Sequence, residues 1–274
     1  MSPSPLSRRI AVLIPALNEA LRIREVVEGA LRHCPNVIVV DDGSTDDTVE
    51  CIRDLPVTLV RHARRCGKGE SLRDGFRLAV EAGYQGVLSM DGDGQHDPDD
   101  IPRLLAAAEV HPGRIIIGAR LKKRAQQPLY RRLANEFGDW GIAWATGRRI
   151  ADTQSGQRYY PIEVAALDVE TDGFVFEAEI LIQAARKLCV HCVSVPIESR
   201  YSGPGLGEKL RRSHFRPLTD LWRITSHVVG RVWTHGRVIP RYIEARRSRP
   251  EVWVPEQSAG GDALGSGVAA ARPG

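Results

Sequence analysis

The chain has 274 residues, 42% apolar and 26% charged, with a formal charge of +4 and an isoelectric point near 8.9; that length carries one sizeable core with at most a small appendage, and so mild a charge gives no ground for a nucleic-acid partner. Cys34, Cys51, Cys66, Cys189 and Cys192 are scattered through a chain too large to need a disulfide framework, which points to a reducing cytoplasm. The first five residues lead into a strand without the apolar stretch of a signal peptide, and nowhere do about 18 apolar residues run together as a membrane-spanning helix requires.

Strand and helix patterns alternate from residue 9, the signature of an α/β fold with a mostly parallel sheet. Residues 9–14 read as a strand, 19–32 as a helix and 37–40 as a second strand. Ser44-Thr45-Asp46-Asp47 has the form of a capping box and predicts a second helix. Residues 57–61 form the third strand and 69–81 the third helix, with Gly83 as its C-terminal cap. Residues 86–90 are the fourth strand, and Asp97-Pro98 starts a helix through residue 109. Ile115-Ile116-Ile117 is a further buried strand; a basic run, Arg120 to Arg124, leads into an amphipathic helix over 129–145. A polar loop over 152–158, a helix over 177–187 and a strand over 190–199 complete this part. Cys189-Val190-His191-Cys192 has zinc-knuckle spacing but no second pair, so these are read as plain buried residues.

The last third changes character. Lys209, Arg211, Arg212, Arg216, Arg223, Arg231, Arg237, Arg241, Arg246, Arg247 and Arg249 face only Glu208, Asp220 and Glu244. Leu218, Leu221, Trp222, Ile224, Val228, Val229 and Val232 recur at helical spacing. The expected organisation is a flexible start over 1–8, a catalytic domain over 9–205, a basic amphipathic helical extension over 206–249 and a disordered tail over 250–274.

In an open α/β sheet, ligands bind beyond the carboxyl ends of the strands. Four strand-end loops carry chemistry there: Pro15-Ala16-Leu17-Asn18-Glu19, Asp41-Asp42-Gly43-Ser44, Cys66-Gly67-Lys68-Gly69 and Asp91-Gly92-Asp93-Gly94-Gln95. Asp41 or Asp42 can accept hydrogen bonds from a base or ribose, and Lys68 can meet a diphosphate. Asp91, Asp93 and Gln95 offer oxygen ligands at alternate positions, which suits Mg²⁺ or Mn²⁺ bridging phosphates. Each loop alone is weak, because such turns commonly carry Asp, Gly and Ser as caps. The set points to a metal-bound, phosphorylated substrate.

The chain resembles family 2 glycosyltransferases with a GT-A fold and, within them, the dolichol- or polyprenyl-phosphate sugar synthases. The resemblance covers about residues 9–217. It rests on Val12 to Glu19, Val39 to Asp46, Gly67-Lys68-Gly69 and Asp91 to His96, with Gly118-Ala119-Arg120 and Asp152-Thr153-Gln154-Ser155-Gly156-Gln157-Arg158 further on. It implies that Pro15, Leu17, Asn18, Glu19, Asp41, Asp42, Gly67, Lys68, Asp91 and Gly92 hold a nucleotide-diphosphate sugar, and that Asp91, Asp93 and Gln95 hold Mg²⁺ or Mn²⁺. Arg120 and Arg158, with Ser155 beside them, would reach acceptor phosphate or donor diphosphate, since a forked guanidinium matches phosphate geometry. Asp93, Arg120 and Arg158 are the catalytic candidates.

After Ile197 the chain departs from the synthase pattern. A longer glycine-rich loop over 201–213 replaces the family's short segment, and Arg200, Lys209 or Arg216 would engage diphosphate as it closes. His214 is a further candidate ligand for metal or diphosphate.

The implied reaction is an inverting displacement onto a lipid acceptor, most simply polyprenyl phosphate, whose oxygen needs positioning rather than deprotonation. A hydroxyl or carboxylate acceptor would need a general base, with Asp152, Glu177 or Glu179 as candidates. The basic extension suits an anionic membrane surface at the inner face of the cell membrane, or else packing on the domain or in a homodimer. A haloacid-dehalogenase-type phosphatase is disfavoured because its Asp-x-Asp follows the first strand. A nucleotidyltransferase would need a glycine-rich, arginine-containing loop after that strand, and a non-catalytic nucleotide-sugar-binding module would not require intact Asp91, Asp93 and Gln95.

Overall fold

The computed structural model describes residues 4–121, 129–171, 173–197, 217–234 and 236–255. Its strands are β1 (Ile10–Ala16), β2 (Val37–Asp41), β3 (Thr58–Arg61), β4 (Gly86–Ser89), β5 (Ile115–Ala119), β6 (Arg158–Pro161) and β7 (Cys192–Pro196). They form one sheet in the order β3-β2-β1-β4-β6-β5-β7. β1 pairs in parallel with β2 and β4, β2 with β3, and β5 with β7. Only β6 is reversed, antiparallel to both β4 and β5. The parallel strands therefore end along one edge, and β6 begins at that same edge with Arg158.

The helices are α1 (Ile23–His33), α2 (Lys68–Glu81), α3 (Ile101–Val110), α4 (Leu129–Thr146), α5 (Ile162–Ala165), α6 (Phe174–Lys187), α7 (Pro217–Thr234) and α8 (Val238–Arg247). Alternate residues of β1 feed two cores. Ile10, Val12 and Ile14 meet Val26 and Val27 of α1 and Leu104 and Leu105 of α3. Ala11 and Leu13 join Leu72 and Phe76 of α2 and Leu181 of α6. Burial on both faces explains why β1 and β2 read as continuous apolar runs rather than as alternating patterns.

Several local expectations are corrected. α1 begins at Ile23, not at residue 19, because Glu19 N donates to Thr48 Oγ1 at 2.8 Å and Asn18 takes a left-handed φ of 55°. The helix predicted after Ser44 reduces to turns and a 3₁₀ turn, Glu50–Ile52. Its intended N-cap serves the β1 loop instead: Ser44 Oγ accepts from Asn18 N at 2.8 Å, and nearby Asp46 Oδ2 accepts from Ala20 N at 3.3 Å. The loop expected over 152–158 ends one residue early, because Arg158 already opens β6. Asp97 does cap a helix start, accepting from Asp99 N, but the first turn, Pro98–Asp100, is 3₁₀.

The C-terminal segment also departs from expectation. Residues 250–255 follow the sheet edge, with Ser194 N donating to Glu251 O at 2.8 Å and Trp253 N to Ser194 O at 2.9 Å. Trp253 packs on the core. Residues 256–274 lie outside the described residues. Cys189 is exposed and Cys192 half-buried, so they are not the plain buried pair expected. α7 packs on α4 and α6, and α8 on α4: Tyr242 meets the tilted ring of Trp140 at 5.2 Å and the edge of Trp144 at 5.5 Å, and Trp144 Nε1 donates to Val238 O at 2.9 Å.

Candidate active site

The loops after β1 and β2 are stitched together by side chains. Asn18 Oδ1 accepts from Thr45 N at 2.8 Å, returning the bond that Asn18 N makes to Ser44. Asp41, wholly buried, accepts from Ser44 N at 3.2 Å and lies 3.4 Å from Arg61 Nε. Asp42 accepts from Cys66 N at 2.7 Å, from Gly67 N at 2.8 Å and meets His62 Nδ1 at 2.9 Å. A cavity of about 360 Å³ opens beside them, lined by Gly43, Ser44, Thr45, Arg61, His62 and Ala63. Neither Asp41 nor Asp42 lines it; both hold the loops that do. Gly43, at φ 75°, packs so tightly that a Cβ would come within 2.7 Å of the Arg64 backbone.

Gly67, at φ 102°, turns the chain into α2, and Lys68 opens that helix. Its Nζ lies 2.7 Å from Asp91 Oδ1 and 3.3 Å from Glu177 Oε2. Burial alone would lower the lysine's pKa, but the Asp91 and Glu177 carboxylates outweigh it and raise it. Burial likewise opposes the charge on Asp91, yet Lys68 draws that carboxyl down to about 2. Asp93 moves the other way, raised by burial and then by the charge of Asp91. Gln95 N donates to Asp93 Oδ1 at 2.9 Å and fixes its turn. His96 is buried, which lowers its pKa; as neutral imidazole its Nδ1 accepts from Asp91 N at 3.2 Å. Two crowded carboxylates, one of them resisting ionisation, form an oxygen donor set that gains from a hard divalent cation.

The loop from Asp152 to Gln157 closes the other side. Arg120 holds Asp152 with both arms, Nε to Oδ2 at 2.9 Å and a terminal nitrogen to Oδ1 at 3.1 Å. Asp139 of α4 receives Thr153 N at 3.0 Å and Thr153 Oγ1 at 2.5 Å. Gly156 presses on the acidic site, since a Cβ there would stand 2.6 Å from Asp91 Oδ2. Ser155 is fully buried, its hydroxyl accepting from Gln157 N at 3.4 Å. Arg158 is 1% exposed. Its nitrogens donate to Ser155 O at 2.7 Å, Thr153 O at 2.7 Å and Glu177 O at 3.0 Å.

Lys68, Asp91, Asp93 and Glu177 thus come together with Arg120, Asp152 and Gly156 around them. Pro15 and Gly92 abut there as well, with a Cβ on Gly92 falling 3.4 Å from Pro15 O. The expectation that Ser155 and Arg158 reach a phosphate does not match their burial: both face inward and shape the loop. Glu179, expected as a candidate base, is 1% exposed and tied to Arg231 and His227 of α7 at 2.6 Å each. Arg200, Lys209, His214 and Arg216 lie outside the described residues. The motifs did not reveal His62 or Asp139. His62 directly follows β3, and strand-end position was the signal that could have found it. Asp139 sits within a helix and shows its role only through contact with the loop.

The Glycosyl transferase family 2 model matches residues 11–166. An undecaprenyl-phosphate mannosyltransferase of Micrococcus luteus is 30% identical over 223 residues, covering 73% of this chain and 90% of its own. A UDP-N-acetylglucosamine–dolichyl-phosphate N-acetylglucosaminyltransferase of Methanococcus voltae is 28% identical, covering 70% and 86%. Glucosyl-3-phosphoglycerate synthase of Mycobacterium tuberculosis, crystallised with Mn²⁺, UDP and glucosyl-3-phosphoglycerate, shares the fold with a TM-score of 0.57 at 21% identity, covering 83% and 79%. The fold is GT-A, and the chain belongs to glycosyl transferase family 2 and is a glycosyltransferase.

Proposed function

We propose that this glycosyltransferase moves a sugar, with inversion, from a nucleotide-diphosphate sugar to the phosphate of a polyprenyl-phosphate-type lipid. The observation that carries the reading is the meeting of Lys68, Asp91 and Asp93 where α2 starts, because a helix N-terminus beside a lysine and a cation site suits a diphosphate. The names of the relatives from Micrococcus luteus and Methanococcus voltae support the lipid phosphate as acceptor.

In this reading Asp91, Asp93 and Gln95 would hold Mg²⁺ or Mn²⁺, which would supply positive charge beside the nucleoside diphosphate leaving group. Lys68 adds its own positive charge on the same side. The cavity lined by Gly43, Ser44, Thr45 and Arg61 takes the nucleoside; the β1 loop that carries Pro15, Leu17, Asn18 and Glu19 is tied to that lining through the bonds of Asn18 to Ser44 and Thr45. Arg120, held flat against Asp152, is the described guanidinium that stands nearest in role to an acceptor clamp, while Arg158 and Ser155 position the loop it touches. An acceptor phosphate is anionic at neutral pH, so these residues orient an oxygen and need remove no proton.

A membrane surface suits the same acceptor. Among the described residues no helix is long and apolar enough to cross a membrane. Val229, Trp233, Ile239 and Ile243 are nevertheless exposed on α7 and α8, beside exposed Arg223, Arg237, Arg246 and Arg247. Aromatic and aliphatic side chains among arginines match an anionic bilayer interface.

Incubation with UDP-, GDP- and dTDP-sugars, Mg²⁺ or Mn²⁺ and extracted bacterial lipids, followed by mass spectrometry, tests the acceptor. The expected product is a sugar-phosphate lipid. A product carrying sugar on a hydroxyl or carboxylate would replace this reading by one that needs a general base.

A further inference from the structure

We propose that Asp42, His62 and Cys66 form a second cation site, distinct from Asp91 and Asp93 and suited to a thiophilic divalent metal such as zinc. A carboxylate oxygen of Asp42, a ring nitrogen of His62 and the Cys66 sulfur lie within 4.8 Å of one another, the one such His/Cys/acid group among the described residues. Zinc–ligand bonds of about 2.0–2.3 Å in a tetrahedron place ligand atoms roughly 3.3–3.8 Å apart. The cluster thus reaches ligating geometry through side-chain adjustments of about an ångström. Sulfur, nitrogen and a single carboxylate together favour zinc over Mg²⁺, which prefers oxygen alone. Three protein ligands leave the fourth position to water.

The group is built before any cation arrives. His62 Nε2 meets Asp74 Oδ2 at 3.1 Å, which aims Nδ1 at Asp42. A carboxylate behind a ligating histidine is the usual support for a metal-binding imidazole. Asp74 is itself oriented by Arg77, whose terminal nitrogen donates to Oδ1 at 2.8 Å. Backbone N–H groups of Cys66 and Gly67 hold Asp42. Without a metal the imidazole bridges the two carboxylates; with one, Nδ1 and the Asp42 oxygen would turn to a shared cation. Cys66 is exposed, so the site opens to solvent and a metal can enter without unfolding.

The sequence conceals the arrangement because its three ligands come from three segments: the residue after β2, the residue after β3 and the residue two before α2. Occupation would clamp the chain between β3 and α2 across the end of β2, alongside the cavity that His62 helps to line. The site is independent of the identity of the donor or acceptor.

The test titrates Co²⁺ into the full chain in excess Mg²⁺, which fills the oxygen site at Asp91 and Asp93. A thiolate-to-Co²⁺ charge-transfer band is expected, rising to one equivalent and bleached by zinc. Cys66→Ala, a change at an exposed position, should abolish the band with the circular dichroism spectrum unchanged. Asp74→Asn should weaken Co²⁺ binding by about 10- to 100-fold. No thiolate band in the native chain, or a band that persists in Cys66→Ala, overturns the proposal.

Discussion

Replacing Arg158 by methionine removes a guanidinium that the fold closes over. Three carbonyls, buried Ser155 O and Thr153 O and half-buried Glu177 O, lose donors now at 2.7, 2.7 and 3.0 Å. A buried polar group left without a partner costs about 1–3 kcal/mol, and methionine restores volume but no donor. With one carbonyl turning to another partner, the expected loss is about 3–5 kcal/mol, in the range seen when a buried charged network is broken. Urea unfolding followed by circular dichroism should show a lower midpoint with the slope unchanged. Arg158→Lys should fall between, keeping the charge but losing the fork that serves separate carbonyls. Turnover should fall in proportion to the disorder of the loop that places Gly156 against Asp91. A loss of stability under about 1 kcal/mol together with abolished transfer would refute this reasoning and return Arg158 to direct contact with a phosphate.

Gly156→Ala sets a Cβ 2.6 Å from Asp91 Oδ2; a displacement of about 1 Å there should lower kcat by roughly 100-fold, and steady-state kinetics showing native turnover would count against a role for Asp91. Asp93→Asn should weaken Mn²⁺ binding by at least about tenfold by calorimetry, and native affinity would remove Asp93 from the metal site. The Glu179 carboxyl sits below its ordinary 4.5, because hydrogen bonds from His227, Gln183 and Arg231 outweigh the opposing effect of burial. The stability it contributes is fully present above pH 4.5 and is lost as pH falls through the lower native value. Glu179→Gln should therefore cost about 1–3 kcal/mol at neutral pH and flatten the acid limb of the unfolding profile; an unchanged acid limb would contradict the tie between α6 and α7. Trp233→Asp with Ile239→Asp, both at exposed positions, should reduce sedimentation with anionic vesicles about tenfold or more, whereas equal retention would remove the membrane role from α7 and α8.

The strand-end loops were legible because their chemistry is local in sequence. Gly67 and Gly69 flank Lys68, Asp91 and Asp93 sit two residues apart, and β1 and β2 announce themselves as apolar runs. What escaped was set by contacts across the chain. Ser44 has the composition of a helix N-cap, but Asn18 N of the β1 loop claims its oxygen, so no helix starts there. Arg158 looks like a phosphate ligand by residue type. The reversal of β6 between β4 and β5 turns it inward, and no spacing in the sequence records that reversal. Trp253 lies in a proline-rich stretch that reads as disorder, yet the free edge of β7 offers its backbone partners.

Lys68 carries the logic of the site furthest. A lysine at the first position of a helix meets the positive end of the helix dipole and is unfavourable there by a few tenths of a kcal/mol or more. Asp91 and Glu177, at 2.7 and 3.3 Å, relieve that strain, and Asp91 is thereby held ionised while Asp93 resists charge. A diphosphate at the start of α2 offers the ammonium the same relief, and a divalent cation offers Asp91 a stronger partner than Lys68. In the proposed reading, binding of each at this site would favour the other: a cation taking Asp91 would free Lys68 to face the phosphates, and phosphates drawing Lys68 away would leave Asp91 for the cation. Coupling of this kind needs one lysine shared between two anionic partners, and the turn at Gly67 puts it within reach of both.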